Sequence, residues 1–379
     1  MVARGAGDVG CAHCTLIGAD RACPICTHLI CERCAADWAT CTEPSGRVVR
    51  LGLTARLRDV DPGGRLGLVS HWRQPLRLFD LRQLSWVRAP SFPRHVYLSN
   101  RMRPPRLTSD LRLVQPEWLF DSDGIGSFVG MRFAALRSHD GPRVMCEPPG
   151  HGTAVTAVGD RFYYVTETER VAIVTASTSV SFEPLPRKVV QAVHVDAERD
   201  LLASASWSEL ALHRIVGDQL TLLSHTKTET TGDVRWVAVA RAWHVAIVIT
   251  VGGGARVEVR RLERDSTIGE LVHRHSGSEF RAASLSRDGR YLALALETSI
   301  LVHELGSDRM QQFYEHTDHI NLLRFVGDDH LLVSADTDNR IVMRPRTPTG
   351  YAEPVVEIQP PAELVELPDP RDERIATPS

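Results

Sequence analysis

From Gly46 onward the chain repeats one pattern of short apolar strands separated by turns. The first strands of the repeating units start near residues 55, 110, 153, 189, 233, 280 and 320. Their mean spacing of about 44 residues equals the length of a four-stranded propeller blade. No long amphipathic helix interrupts the pattern, which is typical of an all-β fold. We therefore expect an all-β, seven-bladed β-propeller, because closing the ring removes exposed sheet edges. Strands are expected, among other places, at Val189–Val195, Leu201–Ser206, Glu209–Ile215, Asp233–Ala240, His244–Val251 and Ala255–Leu262.

The two clearest units lie nearest the C-terminus, at His275–Leu305 and His316–Pro345. Each unit places a histidine before its first strand. A turn then follows that strand, at Ser286–Gly289 in one unit and at Gly327–Asp329 in the other. Glycine suits such turns because it accepts a positive φ without steric cost.

These two units resemble WD repeats. The resemblance implies a buried hydrogen-bond network in the last unit, formed by His316, Ser334 and Asp338. The usual Trp-Asp ending is absent from both units: Arg344 stands at the tryptophan position of the last unit, and His303 stands there in the unit before it. The repeats are therefore degenerate members of the WD pattern.

The propeller is predicted to span residues 46–358. The proline-rich stretch Pro90–Pro105 is expected to be an insertion between the first two blades. Either Arg47–Leu51 or Val355–Ile358 could close the ring as the outer strand of the last blade. The segment 359–379 is rich in proline and charge, which predicts a disordered tail.

Seven of the eight cysteines lie within the first 41 residues. A C-x2-C pair lets two thiolates reach one ion, and zinc takes four ligands in a tetrahedron. One zinc would use two pairs, so a third pair and a seventh cysteine indicate a second site that lacks one obvious ligand. Asp37 is the candidate for that ligand, with His28 and His13 as alternatives. The predicted ligands of two zinc ions are Cys11, Cys14, Cys23, Cys26, Cys31, Cys34, Asp37 and Cys41.

The cysteine segment, residues 11–45, resembles a B-box zinc finger. The resemblance implies a cross-brace, in which the first and third pairs hold one zinc and the second pair holds the other with Cys41 and Asp37. A RING is disfavoured because its middle pairs normally include a histidine, and a FYVE finger needs a basic histidine motif where this chain reads ADRAC. A module of this size cannot bury enough apolar surface to fold alone. We therefore expect metal binding to supply its folding free energy, since structural zinc sites bind with about 10–16 kcal/mol. Residues 1–10 are expected to be flexible.

Composition limits the compartment and the partners. The formal net charge of −3 argues against a general nucleic-acid binder. No apolar stretch approaches about 18 residues, so we expect no membrane span. The first residues lack the apolar core of a secretory signal, which predicts a cytoplasmic protein. Only Lys188 and Lys227 among the 44 basic residues are lysine, which favours a GC-rich bacterial source.

No catalytic signature appears in the sequence. Gly252–Gly254 lies between two expected strands and predicts a tight turn rather than a phosphate-binding loop. Four histidines near the starts of blades are expected to be structural: His151, His225, His275 and His316. Cys146 is expected to be buried in the propeller. The basic cluster Arg101, Arg103 and Arg106 is expected to be a solvated loop.

Tryptophan and arginine are the usual anchors of protein interfaces. We expect most of the tryptophans to fill the core, including Trp72, Trp86, Trp118 and Trp236. Trp207, in the turn of LLASASWSEL, is the one expected to face a partner. These features predict a non-enzymatic scaffold whose propeller binds a protein or peptide. The zinc finger is expected to serve self-association or partner recruitment. The alternatives are the substrate receptor of a ubiquitin-ligase-like complex and a propeller hydrolase or lyase.

Overall fold

The structure is a computed structural model. It describes residues 21–22, 29–30, 46–51, 55–71, 74–81, 85–86, 106–107, 112–120, 126–135, 143–146, 148, 156–158, 161–184, 190–196, 200–229, 231–240, 244–251, 254–277, 280–327, 329–347, 350–352 and 355–358. Two short strands in the cysteine segment, β1 (Arg21–Ala22) and β2 (Leu29–Ile30), pair antiparallel.

The other described strands form seven sheets, numbered in chain order of their first strands. Sheet 1 contains β4 (Ala55–Val60), β5 (Leu66–His71), β6 (Gln74–Asp80) and β7 (Ser85–Trp86). Sheet 2 contains β8 (Arg106–Leu107), β9 (Arg112–Phe120), β10 (Gly126–Ala135) and β11 (Arg143–Val144). Sheet 3 contains β12 (Thr156–Val158), β13 (Arg161–Val165), β14 (Val171–Val174) and β15 (Ser179–Phe182).

The remaining four sheets begin with the same antiparallel order, and sheet 7 has additional strands. Sheet 4 contains β16 (Ala192–Asp196), β17 (Leu201–Ser206), β18 (Glu209–Val216) and β19 (Gln219–Lys227). Sheet 5 contains β20 (Asp233–Ala240), β21 (His244–Val251), β22 (Gly254–Leu262) and β23 (Ile268–Gly277). Sheet 6 contains β24 (Phe280–Leu285), β25 (Tyr291–Leu296), β26 (Ser299–Glu304) and β27 (Met310–Phe313). Sheet 7 contains β28 (Ile320–Val326), β29 (Leu331–Asp336), β30 (Arg340–Thr347), β3 (Gly46–Arg50) and β32 (Val355–Ile358), with β31 (Gly350–Tyr351) paired to β30.

The sheets surround a common axis. The first strand of each sheet contacts the first strands of the sheets on both sides, and β28 of sheet 7 contacts β4 of sheet 1. The first strands therefore line the centre and the later strands lie progressively outward. This arrangement is an all-β propeller, as the sequence predicted.

Five of the sheets, 3 to 7, are regular blades in which every strand along the hydrogen-bonded path has at least three residues. Sheets 1 and 2 are irregular, because β7, β8 and β11 have two residues each. The structure thus shows five regular blades rather than the seven that the sequence predicted. The predicted insertion Pro90–Pro105 falls between β7 and β8 and lies outside the described residues.

The hydrophobic core lies between neighbouring sheets. In β17 all six residues are buried, because each face of a blade packs against another blade. Leu201, Ala203 and Ala205 pack toward sheet 5, whereas Leu202 packs toward sheet 3. A half-exposed strand alternates buried and exposed residues, and this alternation is therefore absent from second strands such as β17.

Both candidate closing segments take part in closing the ring. β3 pairs antiparallel with β30, and β32 then pairs parallel with β3. Val48 and Val49 of β3 are almost fully buried. An N-terminal strand thus completes a blade whose other strands come from the C-terminal part of the chain.

The predicted turns are confirmed at two places. Gly289 has a φ of 70° and donates its N–H to the carbonyl of Ser286 at 2.9 Å. Gly327 has a φ of 60° in the equivalent turn of sheet 7. In the predicted turn at Gly252–Gly254, the first two glycines lie outside the described residues, and Gly254 is the first residue of β22, where it pairs with Val251 of β21.

Candidate functional site

One edge of the propeller collects the segments that could bind a partner. In an antiparallel blade the first strand starts at the same edge at which the second strand turns into the third, and the fourth strand ends there. We name this edge the entry face. It carries the segments that connect consecutive sheets and the turn between the second and third strands of each sheet.

Trp207 lies on the entry face, in the turn between β17 and β18. Its side chain is 52% exposed. The turn is held by the backbone, because the carbonyl of Trp207 accepts the N–H of Gly232 at 3.0 Å and the carbonyl of Ser208 accepts the N–H of Thr228 at 2.9 Å. Both bonds join sheet 4 to the segment that leads into sheet 5. The indole is thus presented to solvent from a fixed backbone, as the sequence predicted for this residue.

Two further exposed apolar side chains share the entry face. Met145 follows the last strand of sheet 2 and is 72% exposed, and Tyr314 follows the last strand of sheet 6 and is 69% exposed. Val216 and Met310 are also exposed but lie at the opposite edge, where third strands turn into fourth strands. Three of the six large apolar side chains that are exposed among the described residues thus lie on the entry face.

A buried network supports the entry face at sheet 7. His316 Nδ1 donates to Asp336 Oδ2 at 3.0 Å, and His316 Nε2 accepts from Ser334 Oγ at 2.7 Å. The prediction that Asp338 completes this network is wrong. Asp338 is about half exposed, where it accepts from Thr317 Oγ1 at 3.2 Å and lies 3.8 Å from Arg50. Asp336 is preferred because it is the last residue of β29 and is buried beside the histidine.

The electrostatics of Asp336 follow from its partners. Burial alone would raise the pKa of this carboxyl. The hydrogen bond from His316 and the N–H groups of Arg340 and Thr317 outweigh burial and hold the pKa below its usual value. Asp336 is therefore an ionised, fully bonded group that ties the loop before β28 to the turn after β29.

Arg344 occupies the position at which the WD pattern has tryptophan. Its side chain is almost fully buried and forms an ion pair with Glu315, which also belongs to the loop before β28. The guanidinium lies 3.8 Å from the centroid of the Phe313 ring and donates to the carbonyl of Ala352 at 2.7 Å. A planar cation can thus replace the indole as a flat, donor-bearing group between two blades.

The eight predicted zinc ligands lie outside the described residues. Within the residues that the structure does describe, no group of three or more His, Cys, Asp or Glu side chains is placed to hold a metal ion. Cys146 is half-buried and packs beside Val144 and Phe162 at the joint of sheets 2 and 3.

Other predicted residues are distributed as follows. Trp236 is half-buried against the core between sheets 5 and 6, in keeping with the core prediction. His225 is exposed on β19 rather than structural, and His275 contacts other rings between sheets 5 and 6. The structure does not describe His151, Trp72, Arg101 and Arg103. It describes only the backbone, and not the side chains, of Trp86, Arg106 and Trp118.

Comparison with known proteins assigns the fold class and nothing finer. The chain is similar to the solved β-propeller domain of Cps50 (Swd1) from Myceliophteria thermophila. The two share 12% sequence identity with a TM-score of 0.56, and the match covers 78% of this chain and 97% of that domain. No protein-family model matches the chain, and no curated protein matches it. The chain is thus a β-propeller with a WD-like structural relative.

Among the described residues, no helix has the length and apolar character needed to cross a bilayer.

Proposed function

We propose that this protein is a non-enzymatic interaction scaffold whose propeller binds a protein or peptide on the entry face. The single observation that carries the proposal is the position of Trp207, Met145 and Tyr314, which are exposed and lie on one face. A rigid blade presents each of them without the cost of ordering a loop on binding. Aromatic anchors of this kind contribute most of the binding free energy at protein interfaces.

The propeller is proposed to have seven blades of a degenerate WD type. The closed series of contacts between first strands supports this count, because sheets 1 and 2 complete the ring despite their short strands. The His316–Asp336–Ser334 network supports the WD relationship, since it joins the loop before the first strand to the second strand as in that family. Its aspartate is the last residue of β29 rather than a residue of the following turn.

The N-terminal segment is proposed to be a B-box-like finger that binds two zinc ions and serves self-association or partner recruitment. The hairpin of β1 and β2 supports a cross-brace. Cys23 is the next residue after β1 and Cys31 is the next after β2. The two strands are antiparallel, so the chain leaves β1 at one end of the hairpin and leaves β2 at the other end. This separation is consistent with a cross-brace, in which the second and the third cysteine pairs bind different zinc ions. Clustered thiols of this kind also favour the cytoplasm as the compartment.

The entry face is tested by site-specific photo-crosslinking in the source cell. A photoreactive residue placed at Trp207 or Tyr314 should capture the same partner. The same group placed at Val216 or Met310, which are equally exposed at the opposite edge, should not capture it. Equal capture from both edges, or from neither, would overturn the proposal.

A second measurement separates binding from stability. The Trp207→Ala variant should bind the crosslinked partner at least about tenfold more weakly than the parent chain. The reason is that such anchor side chains contribute about 2 kcal/mol or more to the binding free energy. Its urea midpoint should match that of the parent, since the side chain is half exposed. Val216→Ala is the matched control and should retain full affinity.

A further inference from the structure

Three histidines meet between sheets 5 and 6. His273 and His275 are two residues apart on β23, so both side chains lie on the same face of the strand. His303 lies on β26 of the next sheet. The ring centroids of His273 and His303 are 4.6 Å apart, and those of His275 and His303 are 5.1 Å apart. We name these three residues the histidine cluster.

The surroundings of the histidine cluster are apolar. On β22, the cross-strand partners of His275 and His273 are Val257 and Val259, both fully buried. On sheet 6, the partners of His303 are Leu292 and Met310. Among the described residues, no hydrogen-bond partner reaches the buried Nε2 atoms of His273 and His303. Buried polar atoms are normally paired, so these two nitrogens lack the usual compensation for leaving water.

No carboxylate on the neighbouring strands compensates a positive charge in the histidine cluster. Glu258 of β22 accepts the N–H of Glu229 and lies 3.8 Å from Arg260. Glu304 of β26 pairs with Arg290 and Arg309. On β23 itself, Glu270 pairs with Arg261 and Arg274 pairs with Glu229. Glu258, Arg274 and Glu304 alternate with the cluster positions along their strands and thus point to other faces. Arg261 lies two residues after Val259 and shares the face of the histidine cluster, where its ion pair engages Glu270.

The histidines of this cluster are held neutral by their environment. Burial lowers the pKa of all three, and for His303 the two neighbouring imidazoles lower it further, to about 4. In an unfolded or opened chain a histidine has a pKa near 6.5. Protonation is therefore coupled to separation of the rings.

We propose that the joint between sheets 5 and 6 is a pH-sensitive contact: mildly acidic medium raises the population of an open form in which the histidine cluster is protonated and β23 has moved away from β26. A proton on His303 places a positive charge within about 5 Å of two other imidazoles in an apolar setting, where repulsion is weakly screened. The joint between sheets 6 and 7 is built differently: Asp329 accepts the N–H groups of Arg287 and Asp288 at 2.8 Å, and Arg346 pairs with Asp288 at 2.9 Å.

A fourth histidine lies at the same joint. His244 Nδ1 donates to the carbonyl of Gly289 at 2.9 Å. Burial and the Arg261 charge lower the pKa of His244, so its protonation in acid also favours opening of this joint. The part that depends on the contact between β23 and β26 is identified by the variant His303→Phe.

The size of the effect follows from linkage. A histidine with a pKa of about 4 in the closed joint and 6.5 in the open joint loses its stabilising contribution as pH falls below 6.5. For His303 alone, the equilibrium constant for opening should rise by up to about thirtyfold between pH 7.5 and pH 5.0.

The test is hydrogen exchange of the full chain at these two pH values, corrected for the intrinsic exchange rate. Peptides covering β23 and β26 should gain exchange at pH 5.0, whereas peptides covering β29 and β30 should not. In His303→Phe, which keeps a ring without a titratable group, the gain should disappear. His225→Phe, an exposed histidine on β19, is the matched control and should keep it. An equal gain in all sheets, or an unchanged gain in His303→Phe, would overturn the proposal.

A direct titration of the wild-type histidines tests the proposal without a variant, so the result does not depend on how a variant folds. In the wild-type chain, the NMR titration of the histidine cluster should give His303 a midpoint well below 6.5. A midpoint for His303 near 6.5 would also refute the proposal.

Discussion

The Nδ1 atom of His316 lies 3.0 Å from Oδ2 of Asp336, two residues before the aspartate that the WD pattern places opposite this histidine. The pair is shielded from solvent and forms within one blade. Asp336 Oδ1 also accepts the N–H of Arg340 at 2.9 Å. One carboxylate thus fixes both the loop that enters sheet 7 and the turn that leaves β29.

This relationship predicts a stability difference between two aspartates. Asp336→Ala should lower the free energy of unfolding by about 3 kcal/mol, because it leaves a buried histidine and a buried N–H unpaired. Asp338→Ala should lower it by less than about 1 kcal/mol, because the carboxylate is half exposed and its ion pair is loose. Urea unfolding at pH 7.5 measures both. A larger loss in the free energy of unfolding for Asp338→Ala than for Asp336→Ala would show that Asp338, and not Asp336, is the aspartate of the network.

Ring closure predicts a second effect. Val49→Ala in β3 should lower the free energy of unfolding by about 1–3 kcal/mol, because the side chain is fully buried between β30 and β32 at the joint with sheet 1. Arg50→Ala, the next residue, is the control and should have little effect since its side chain is half exposed. Similar losses in the two variants would mean that β3 does not close the ring.

Acid should weaken the joint between sheets 4 and 5 through His194. Its Nδ1 accepts the N–H of Val239 at 3.2 Å, and burial together with the Arg324 charge lowers its pKa to about 4. Because the folded pKa lies below the unfolded value, stability is complete above pH 6.5 and declines as pH falls toward 4. This residue alone accounts for at most about 3 kcal/mol.

The variant His194→Asn isolates that contribution. An asparagine oxygen can still accept the N–H of Val239 but cannot be protonated. Urea unfolding at pH 7.5, 6.0 and 5.0 should therefore show a flatter pH dependence than in the parent chain. A parallel pair of curves would show that His194 does not titrate with folding.

The zinc proposal predicts a metal stoichiometry. Purified full-length protein should contain about two zinc ions per chain, since seven thiols and one carboxylate complete two tetrahedral sites. Asp37→Ala should reduce the content toward one. Protein free of zinc under metal-replete conditions would exclude the finger, and two zinc ions in Asp37→Ala would assign the eighth ligand elsewhere.

Much of the propeller could be predicted from the sequence. The expected strands Leu201–Ser206, Asp233–Ala240 and His244–Val251 coincide with β17, β20 and β21. These strands are apolar on both faces and are bounded by turn residues, so local sequence suffices to define them. The outer strands β19 and β23 went unpredicted, because their half-exposed residues lack the continuous apolar run of inner strands.

The candidate site was predicted in part. Trp207 stood out because a tryptophan in a turn has no core to enter. Met145 and Tyr314 did not, since neither has a local signal that distinguishes an exposed residue from a buried one. The histidine cluster was also missed: His273 and His303 are 30 positions apart in sequence, and only the packing of sheet 5 on sheet 6 brings their rings together.

The sequence by itself determined the all-β propeller class, the turns and the position of the exposed tryptophan, because spacing, apolar runs and turn residues are local properties. Only the tertiary structure decided which aspartate binds His316, how β3 and β32 share the closure, and which exposed side chains occupy one face. These features depend on contacts between residues distant in the chain. Such contacts follow from how the blades pack around the ring, which no local pattern specifies.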